Sequence, residues 1–155
     1  MRKVNTLRFG EIEVDEEKIV HFADGIPAFE DEHEFLIIPY DDESPYVFLQ
    51  SLTTSDLAFL MTMPFVFFPD YEFELDDENQ NKLELKREED MLVYTLLTIP
   101  GGKVENMTAN LMAPVVINTA NMQARQLVLD KSRYNTKHRL FPEKKEGQSD
   151  AGTNA

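Results

Sequence analysis

Short apolar runs separated by turn residues recur along this chain at intervals of roughly ten positions. The runs cover residues 4–9, 11–14, 19–22, 35–39, 47–51, 57–63, 91–99, 113–118 and 123–129. Residues 11–14 alternate Glu, Ile, Glu and Val, the period of two that indicates a half-buried strand. No stretch has a long helical period, although residues 29–34 and 108–112 each suit a helical turn. The pattern predicts a mainly all-β protein, an antiparallel barrel or sandwich.

The length and the distribution of core-forming residues predict one domain. A chain of 155 residues suits a single hydrophobic core and is too short for two ordinary ones. The last segment, PEKKEGQSDAGTNA, has almost no side chain that a core would accept. We therefore predict a folded domain over residues 1–141 and a disordered C-terminal tail over residues 142–155.

The charge of the chain restricts its partners. The formal net charge is −14, which opposes direct binding of nucleic acid and favours encounter with a basic protein. The chain has no cysteine, which excludes disulfides and thiolate metal sites. The first residues lack the apolar run of a signal peptide, and no stretch is long enough to cross a bilayer. We expect a cytoplasmic protein that does not bind membranes.

Sequence motifs for catalysis are missing. The chain has no nucleophile elbow, phosphate loop or dinucleotide fingerprint, and its three histidines lack zinc-site spacing. Residues 77–88 match four positions of a calcium loop, but Lys82 stands where the sharp turn requires glycine. We predict no catalytic residue, cofactor or metal. The alternative is a hydrolase with a pair of carboxylates, which would need a deep pocket, and a structural protein is a third alternative.

Residues 63–75, MPFVFFPDYEFEL, combine aromatic side chains with a series of acids. In an extended strand, the odd positions form an apolar core face, and the even positions from Asp70 onward form an acidic face edged by Phe68. Such a stretch is typical of an edge strand that resists aggregation, and equally of a docking surface. The docking hypothesis predicts partner contacts at Phe68, Asp70, Tyr71, Glu72 and Glu74. Tyr71 joins them only if Pro69 turns the chain.

The C-terminal region is basic, in contrast to the rest of the chain. Its cations are Arg125, Lys131, Arg133, Lys137 and Arg139. Read alone, these cations suit weak binding of nucleic acid, but Tyr134 is the one aromatic residue among them and the chain as a whole is acidic. We interpret them instead as partners of the chain's own acids or as solvated side chains.

Three segments together resemble the flagellar assembly factor FliW family of bacteria. They are FGEIEVDEEKIVHFADGIPAFEDE (residues 9–32), DLAFLMTMPFVFFPDYEFEL (residues 56–75) and NMTANLMAPVVINTANMQARQLVLD (residues 106–130), the last leading to YNTKHRL. The resemblance covers residues 8–140 and implies a compact antiparallel, barrel-like β fold without enzyme activity. The chain departs from the family at Ala28, where glycine is more frequent, and alanine disfavours a positive backbone φ.

The resemblance also implies a function. Members of the family bind cytoplasmic flagellin as a chaperone, towards its C-terminal end. When free, they bind and allosterically antagonise CsrA, a small dimeric RNA-binding protein that represses translation of flagellin mRNA. We expect the same partners here, and a monomer in their absence.

A second group of candidate contacts lies in the third segment. It comprises Asn106, Met107, Thr108, Asn110, Leu111 and Asn118. The first five either bind a partner or form a turn with short hydrogen-bonding side chains. Asn118 either binds a partner or ends its strand.

Overall fold

The computed structural model describes residues 2–129 and 132–141, and within them the chain is mainly β. The strands are β1 (Arg2–Thr6), β2 (Gly10–Val14), β3 (Val20–Phe22), β4 (Glu34–Pro39), β5 (Tyr46–Ser51), β6 (Ala58–Thr62), β7 (Met91–Thr98), β8 (Thr108–Ala109), β9 (Val115–Asn118), β10 (Gln123–Gln126) and β11 (His138–Arg139). The α-helix α1 spans Asp77–Leu83. Short 3-10 turns lie at Glu16–Lys18, Pro64–Val66, Glu88–Asp90, Pro100–Gly102 and Val104–Asn106. The predicted tail, residues 142–155, lies outside the described residues.

Seven strands close into a barrel in the order β7, β6, β5, β4, β3, β10 and β9, with β9 returning to β7. The closing pair is antiparallel and aligns Leu92 with Ile117 and Tyr94 with Val115. β3 and β10 are parallel, whereas the other pairs of the ring are antiparallel. The predicted β-barrel is confirmed, and its antiparallel order is interrupted at one junction.

The barrel interior is filled by alternate side chains of the ring strands, because successive residues of a strand face opposite sides. The buried cluster contains Val20, Phe22, Ile26, Phe35, Leu49, Met61, Tyr94, Val115, Ile117 and Ala124. Phe22 and Phe35 meet edge to face, with ring centroids 5.2 Å apart. Strand β9 is buried on both sides, since Val116 packs outside the barrel against Leu83 of α1.

The hairpin of β1 and β2 forms a separate two-stranded sheet against the barrel. Val4 and Val14 on its inner face pack with Ile19. The prediction of a strand over residues 4–9 is corrected at its end, because β1 stops at Thr6 and residues 7–9 form the turn. The hydroxyl of Thr6 stabilises this turn by donating to the Gly10 carbonyl, at 2.8 Å.

Helix α1 was not predicted, because seven residues are too few to show a clear helical period. Its signals are local. The Asp76 carboxylate accepts the Asn79 N–H at 2.9 Å and caps the first turn, and acids follow at Asp77 and Glu78. The helix is terminated by its capping residue Glu84, which has a left-handed φ of 54° although glycine adopts this conformation more easily.

The predicted helical turns at residues 29–34 and 108–112 are not helical. The first segment leads from hydrogen-bonded turns into β4, and the second contains strand β8. Ala28 adopts a φ of 75° despite its side chain. Its N–H donates to the Glu30 carboxylate at 3.1 Å, which helps offset the cost of about 1–2 kcal/mol for a left-handed non-glycine residue.

Candidate partner-binding surface

The stretch predicted as a strand over residues 63–75 is a sequence of turns. The 3-10 turn Pro64–Val66 begins directly after β6, and the Phe68 N–H donates to the Pro64 carbonyl at 2.8 Å. A second turn at Pro69 brings the Tyr71 N–H to 2.9 Å from the Phe68 carbonyl. The strand prediction is therefore wrong over residues 63–75, none of which lies in a strand, while the corner expected at Pro69 is present.

These turns change which aromatic residues face solvent. Phe65 and Val66 are exposed, Val66 to 57%. Phe68, predicted as the exposed aromatic, is half-buried with its ring edge-on to His138, at a centroid distance of 6.0 Å. Phe67 is also half-buried, and its ring stacks on that of Tyr46. The strand register assigned Phe65 to the core face, and the 3-10 turn exposes it instead. Val66 lies on the outward face of that register as well, but it was not singled out as a contact.

Tyr71 is a core residue in this structure, with an exposed fraction of 4%. Its hydroxyl donates to the Leu111 carbonyl at 2.7 Å, and its ring meets that of Tyr134 at 4.7 Å. Burial, with a smaller effect of the Tyr134 phenol, raises the pKa of Tyr71 well above its usual value. The predicted partner contact at Tyr71 is corrected, because the side chain packs in a buried cluster with Met107, Leu111 and Leu140.

Carboxylates line the outside of the segment that follows Pro69. Asp70, Glu72 and Glu74 are exposed, while Tyr71 and Phe73 between them face inward. Exposed and inward-facing side chains alternate here although the segment is not paired with a strand. The Glu72 N–H instead donates to the Tyr134 hydroxyl at 3.0 Å. We call the exposed set the acidic surface; it comprises Phe65, Val66, Asp70, Glu72 and Glu74.

The residues of the second group of candidates are buried or form hydrogen bonds within the chain. Met107, Thr108 and Leu111 are buried, which corrects their prediction as partner contacts. Asn106 and Asn110 are half-buried. The Asn110 carboxamide oxygen accepts the Ala113 N–H at 3.1 Å, and that of Asn106 accepts from Arg139 at 3.3 Å. The interpretation as a turn with hydrogen-bonding side chains fits these contacts.

Asn118 is also buried, and its side chain joins the barrel to α1. Its Nδ2 donates to the carbonyls of Leu83 at 2.9 Å and Glu84 at 3.2 Å. Its Oδ1 accepts the Ala120 N–H at 2.9 Å. A partner cannot reach these atoms in the folded chain, so the contact predicted at Asn118 is corrected and the strand-ending interpretation holds.

The geometry described above is that of a known family. The model of the FliW protein family matches residues 3–140. The chain belongs to the FliW family. The flagellar assembly factor FliW of Desulfitobacterium hafniense (strain DSM 10664 / DCB-2) is 45% identical to this chain, over 91% of this chain and 92% of that protein. The Bacillus subtilis (strain 168) protein is 43% identical over 87% of this chain and 94% of its own length.

The same result follows from the three-dimensional comparison. A crystal structure of the flagellar assembly factor FliW superposes with a TM-score of 0.86 at 41% identity. The match covers 92% of this chain and 99% of the other. The FliW family consists of flagellar assembly factors and not of enzymes, so the alternative of a carboxylate hydrolase is set aside.

The basic residues of this FliW-family chain are partly paired, as predicted. Arg125 forms an ion pair with Asp24 and also donates to Asn79 at 2.8 Å. Hydrogen bonding and charge from Arg125 lower the pKa of Asp24. Arg139 donates instead to the carbonyls of Phe141 and Glu105. Lys131 lies outside the described residues.

His138 makes the stability of this FliW-family chain sensitive to pH. Burial lowers the pKa of His138 below its ordinary value of 6.5, and its Nε2 accepts the Asn135 N–H at 2.9 Å, which requires a neutral ring. On acidification the unfolded chain takes up this proton first, so the free energy of unfolding falls below about pH 6.5. Urea unfolding between pH 5 and 7.5 should show this loss.

The matched variant is His138→Gln, which removes the titrating group. Its free energy of unfolding should depend less steeply on pH than that of the original chain, because only the remaining ionisable groups contribute. Parallel pH profiles for the two proteins would contradict the assignment.

Two further features are absent from the part of the chain that the structure describes. Across residues 2–129 and 132–141, no three His, Cys, Asp or Glu residues are grouped as a metal site would require. The same residues contain no helix with the length and apolar character needed to span a membrane.

Proposed function

We propose that this chain binds cytoplasmic flagellin as a chaperone, towards the C-terminal end of flagellin. When free of flagellin, it binds CsrA and antagonises it allosterically, which relieves repression of flagellin mRNA translation. Membership in a family of flagellar assembly factors supports this role. The observation that carries the proposal is the acidic surface. It combines exposed carboxylates with exposed apolar side chains, on a chain of net charge −14.

Charge selects CsrA as the partner of the acidic surface. A protein that binds RNA requires cationic surface, and cations are attracted by Asp70, Glu72 and Glu74. Phe65 and Val66 supply the apolar area from which a contact between two proteins gains most of its affinity. Because the antagonism is allosteric, this surface is not required to resemble RNA.

The exposed candidates carry the proposal. Asp70, Glu72 and Glu74 remain as predicted contacts, and Phe65 and Val66 join them. The half-buried residues Phe68, Asn106 and Asn110 stay predictions at the margin of the surface. The buried residues are left out of it; they are Tyr71, Met107, Thr108, Leu111 and Asn118.

We further propose that the chain is a cytoplasmic monomer in the absence of its partners. Closure of β9 onto β7 removes the free edges of the seven-stranded ring, and the edges that remain in the described residues, on the β1–β2 hairpin and on β11, are short. Free edges are the usual route by which β proteins pair with each other.

The central experiment is a competition between the two partners. CsrA is first bound to the purified chain, flagellin is then added, and released CsrA is measured by size-exclusion chromatography. Release of CsrA is expected, because occupation by flagellin should free the repressor. If neither purified partner binds the chain, the proposed function is wrong.

Charge reversal tests the acidic surface itself. The double variant Glu72→Lys/Glu74→Lys should associate with CsrA about tenfold more slowly at low salt, because electrostatic steering is lost. Both side chains are exposed, so the melting temperature should change little. Association rates from surface plasmon resonance at two salt concentrations measure the effect.

The matched control is Glu11→Lys/Glu13→Lys on β2. These two acids are also exposed, have the same spacing, and change the net charge equally. The control should slow association much less, because neither of its acids belongs to the acidic surface. Equal slowing by both double variants would show that only net charge matters and would remove the acidic surface from the proposal.

A further inference from the structure

A second surface lies on another part of the molecule, between the β1–β2 turn and the barrel. We infer that this groove binds the apolar face of an amphipathic protein segment that carries basic residues. The inference rests on the proposed protein-binding function and adds a site that shares no residue with the acidic surface. We call it the hairpin groove.

The hairpin groove has a volume of about 570 Å³, enough for several apolar side chains. Its lining is mostly apolar and aromatic and includes Leu7, Phe9, Tyr40, Phe48 and Val104. Met107 also borders it, but with an exposed fraction of 2% it offers a partner almost no surface. Both walls carry large side chains that are open to solvent. Tyr40 is exposed to 54% and Val104 to 53%, and Leu7 and Phe9 are exposed as well. Hairpin turns are ordinarily polar, so this concentration indicates a binding surface.

The hairpin wall of the groove is held in place by the barrel. Gln50 is buried at 1% exposure, and its Oε1 accepts the Leu7 N–H at 2.9 Å. Its Nε2 donates to the Leu57 carbonyl at 3.2 Å. The Phe9 ring meets Phe48 edge to face, with centroids 6.0 Å apart. The groove is therefore formed before a partner binds, which lowers the entropy lost on binding.

The charge around the groove determines which segment fits. Exposed acids directly follow its lining residues: Asp41, Asp42 and Glu43 after Tyr40, and Glu105 after Val104. Three cations oppose these four acids: Lys103, Arg8 and Arg139, whose guanidinium donates to the Glu105 carbonyl. The Arg8 guanidinium is used in part by the Phe48 ring, 5.0 Å from its centroid. The excess of acids favours an apolar segment with basic neighbours over one with acidic neighbours.

A pair of synthetic peptides tests the inference without a natural partner. One is an amphipathic helix of about 14 residues made of Leu and Lys, and the other has Glu in place of Lys. Calorimetry should show binding of the Leu–Lys peptide, and binding of the Leu–Glu peptide about tenfold weaker or absent. Equal affinity for the two peptides would overturn the charge argument.

Groove variants separate this site from general attraction to an acidic protein. Leu7→Ser/Val104→Ser should weaken the Leu–Lys peptide about tenfold or more, because both side chains would be covered by it. The control is Val128→Ser, at an equally exposed valine outside the groove lining, which should leave affinity unchanged. None of the three side chains is buried, so folding should be retained.

The outcomes distinguish this inference from the proposed function. Peptide affinity that is unchanged by Leu7→Ser/Val104→Ser overturns the groove, even where flagellin and CsrA both bind. Peptide binding that is lost in the groove variant supports the groove, even where flagellin and CsrA fail to bind and the proposed function falls.

Discussion

Gly25→Ala is expected to lower the free energy of unfolding by at least about 3 kcal/mol, since it combines a backbone clash with a left-handed φ. Gly25 has a φ of +70°, and a Cβ at this position would overlap the Glu30 carbonyl oxygen. The Glu30 carbonyl carbon and Cα would be 2.6 Å away. These are backbone atoms, which cannot rotate aside, so the turn between β3 and β4 must open. Denaturant unfolding measures the loss.

Gly10→Ala is the matched control for this clash. Gly10 has nearly the same φ, +67°, but a Cβ there would meet nothing within 4 Å. Only the left-handed backbone is penalised, so the expected loss is about 1–2 kcal/mol. Equal losses at the two glycines would show that the close approach to Glu30 has no energetic consequence.

Asn118→Ala is expected to cost about 3 kcal/mol of stability, with loosening of α1. The side chain satisfies two carbonyls at the end of α1, those of Leu83 and Glu84, and one N–H at Ala120. Helix ends leave such carbonyls without partners inside the helix, and a buried polar group without a partner costs about 1–3 kcal/mol. Denaturant unfolding gives the total, and hydrogen exchange at α1 locates the loss.

Asn121→Ala serves as the control for Asn118→Ala. Asn121 also donates to the Leu83 carbonyl, at 3.1 Å, but its side chain is only half-buried. Asn121→Ala should lower the free energy of unfolding by only about 1 kcal/mol, because the Leu83 carbonyl keeps the hydrogen bond from Asn118. An effect of Asn121→Ala as large as that of Asn118→Ala would contradict the central role of Asn118. Below its melting temperature, Asn118→Ala should still bind CsrA, since the side chain is not at the surface.

The strands that sequence reasoning located are those with strong local signals. Residues 35–39 and 47–51 became β4 and β5 with one residue added at the start of each, because apolar runs bounded by turn residues have few other ways to be buried. Helix α1 was missed, since its capping signals are two single residues, Asp76 before its first turn and Glu84 after its last. Closure of β9 on β7, and the parallel pair of β3 and β10, depend on residues far apart in the chain.

The candidate site was predicted in composition and not in detail. Asp70, Glu72 and Glu74 face solvent as expected, because three carboxylates so close together cannot all be buried. Phe65 and Phe68 were assigned to the wrong sides, since a turn at Pro64 and another at Pro69 rotate the chain, whereas Phe67 and Phe73 pack inward as the alternation predicted. The hairpin groove was not predicted at all. Its walls come from four separate segments, and no local pattern relates Leu7 to Val104.

The sequence by itself determined that this chain is a mainly β protein with strong negative charge and no cysteine. Those properties follow from local periodicity, length and composition, which need no knowledge of distant contacts. Only the tertiary structure decided which side chains a partner can reach. Whether Tyr71, Leu111 or Asn118 meets solvent depends on what packs over it, and those neighbours lie 35 to 40 positions away along the chain.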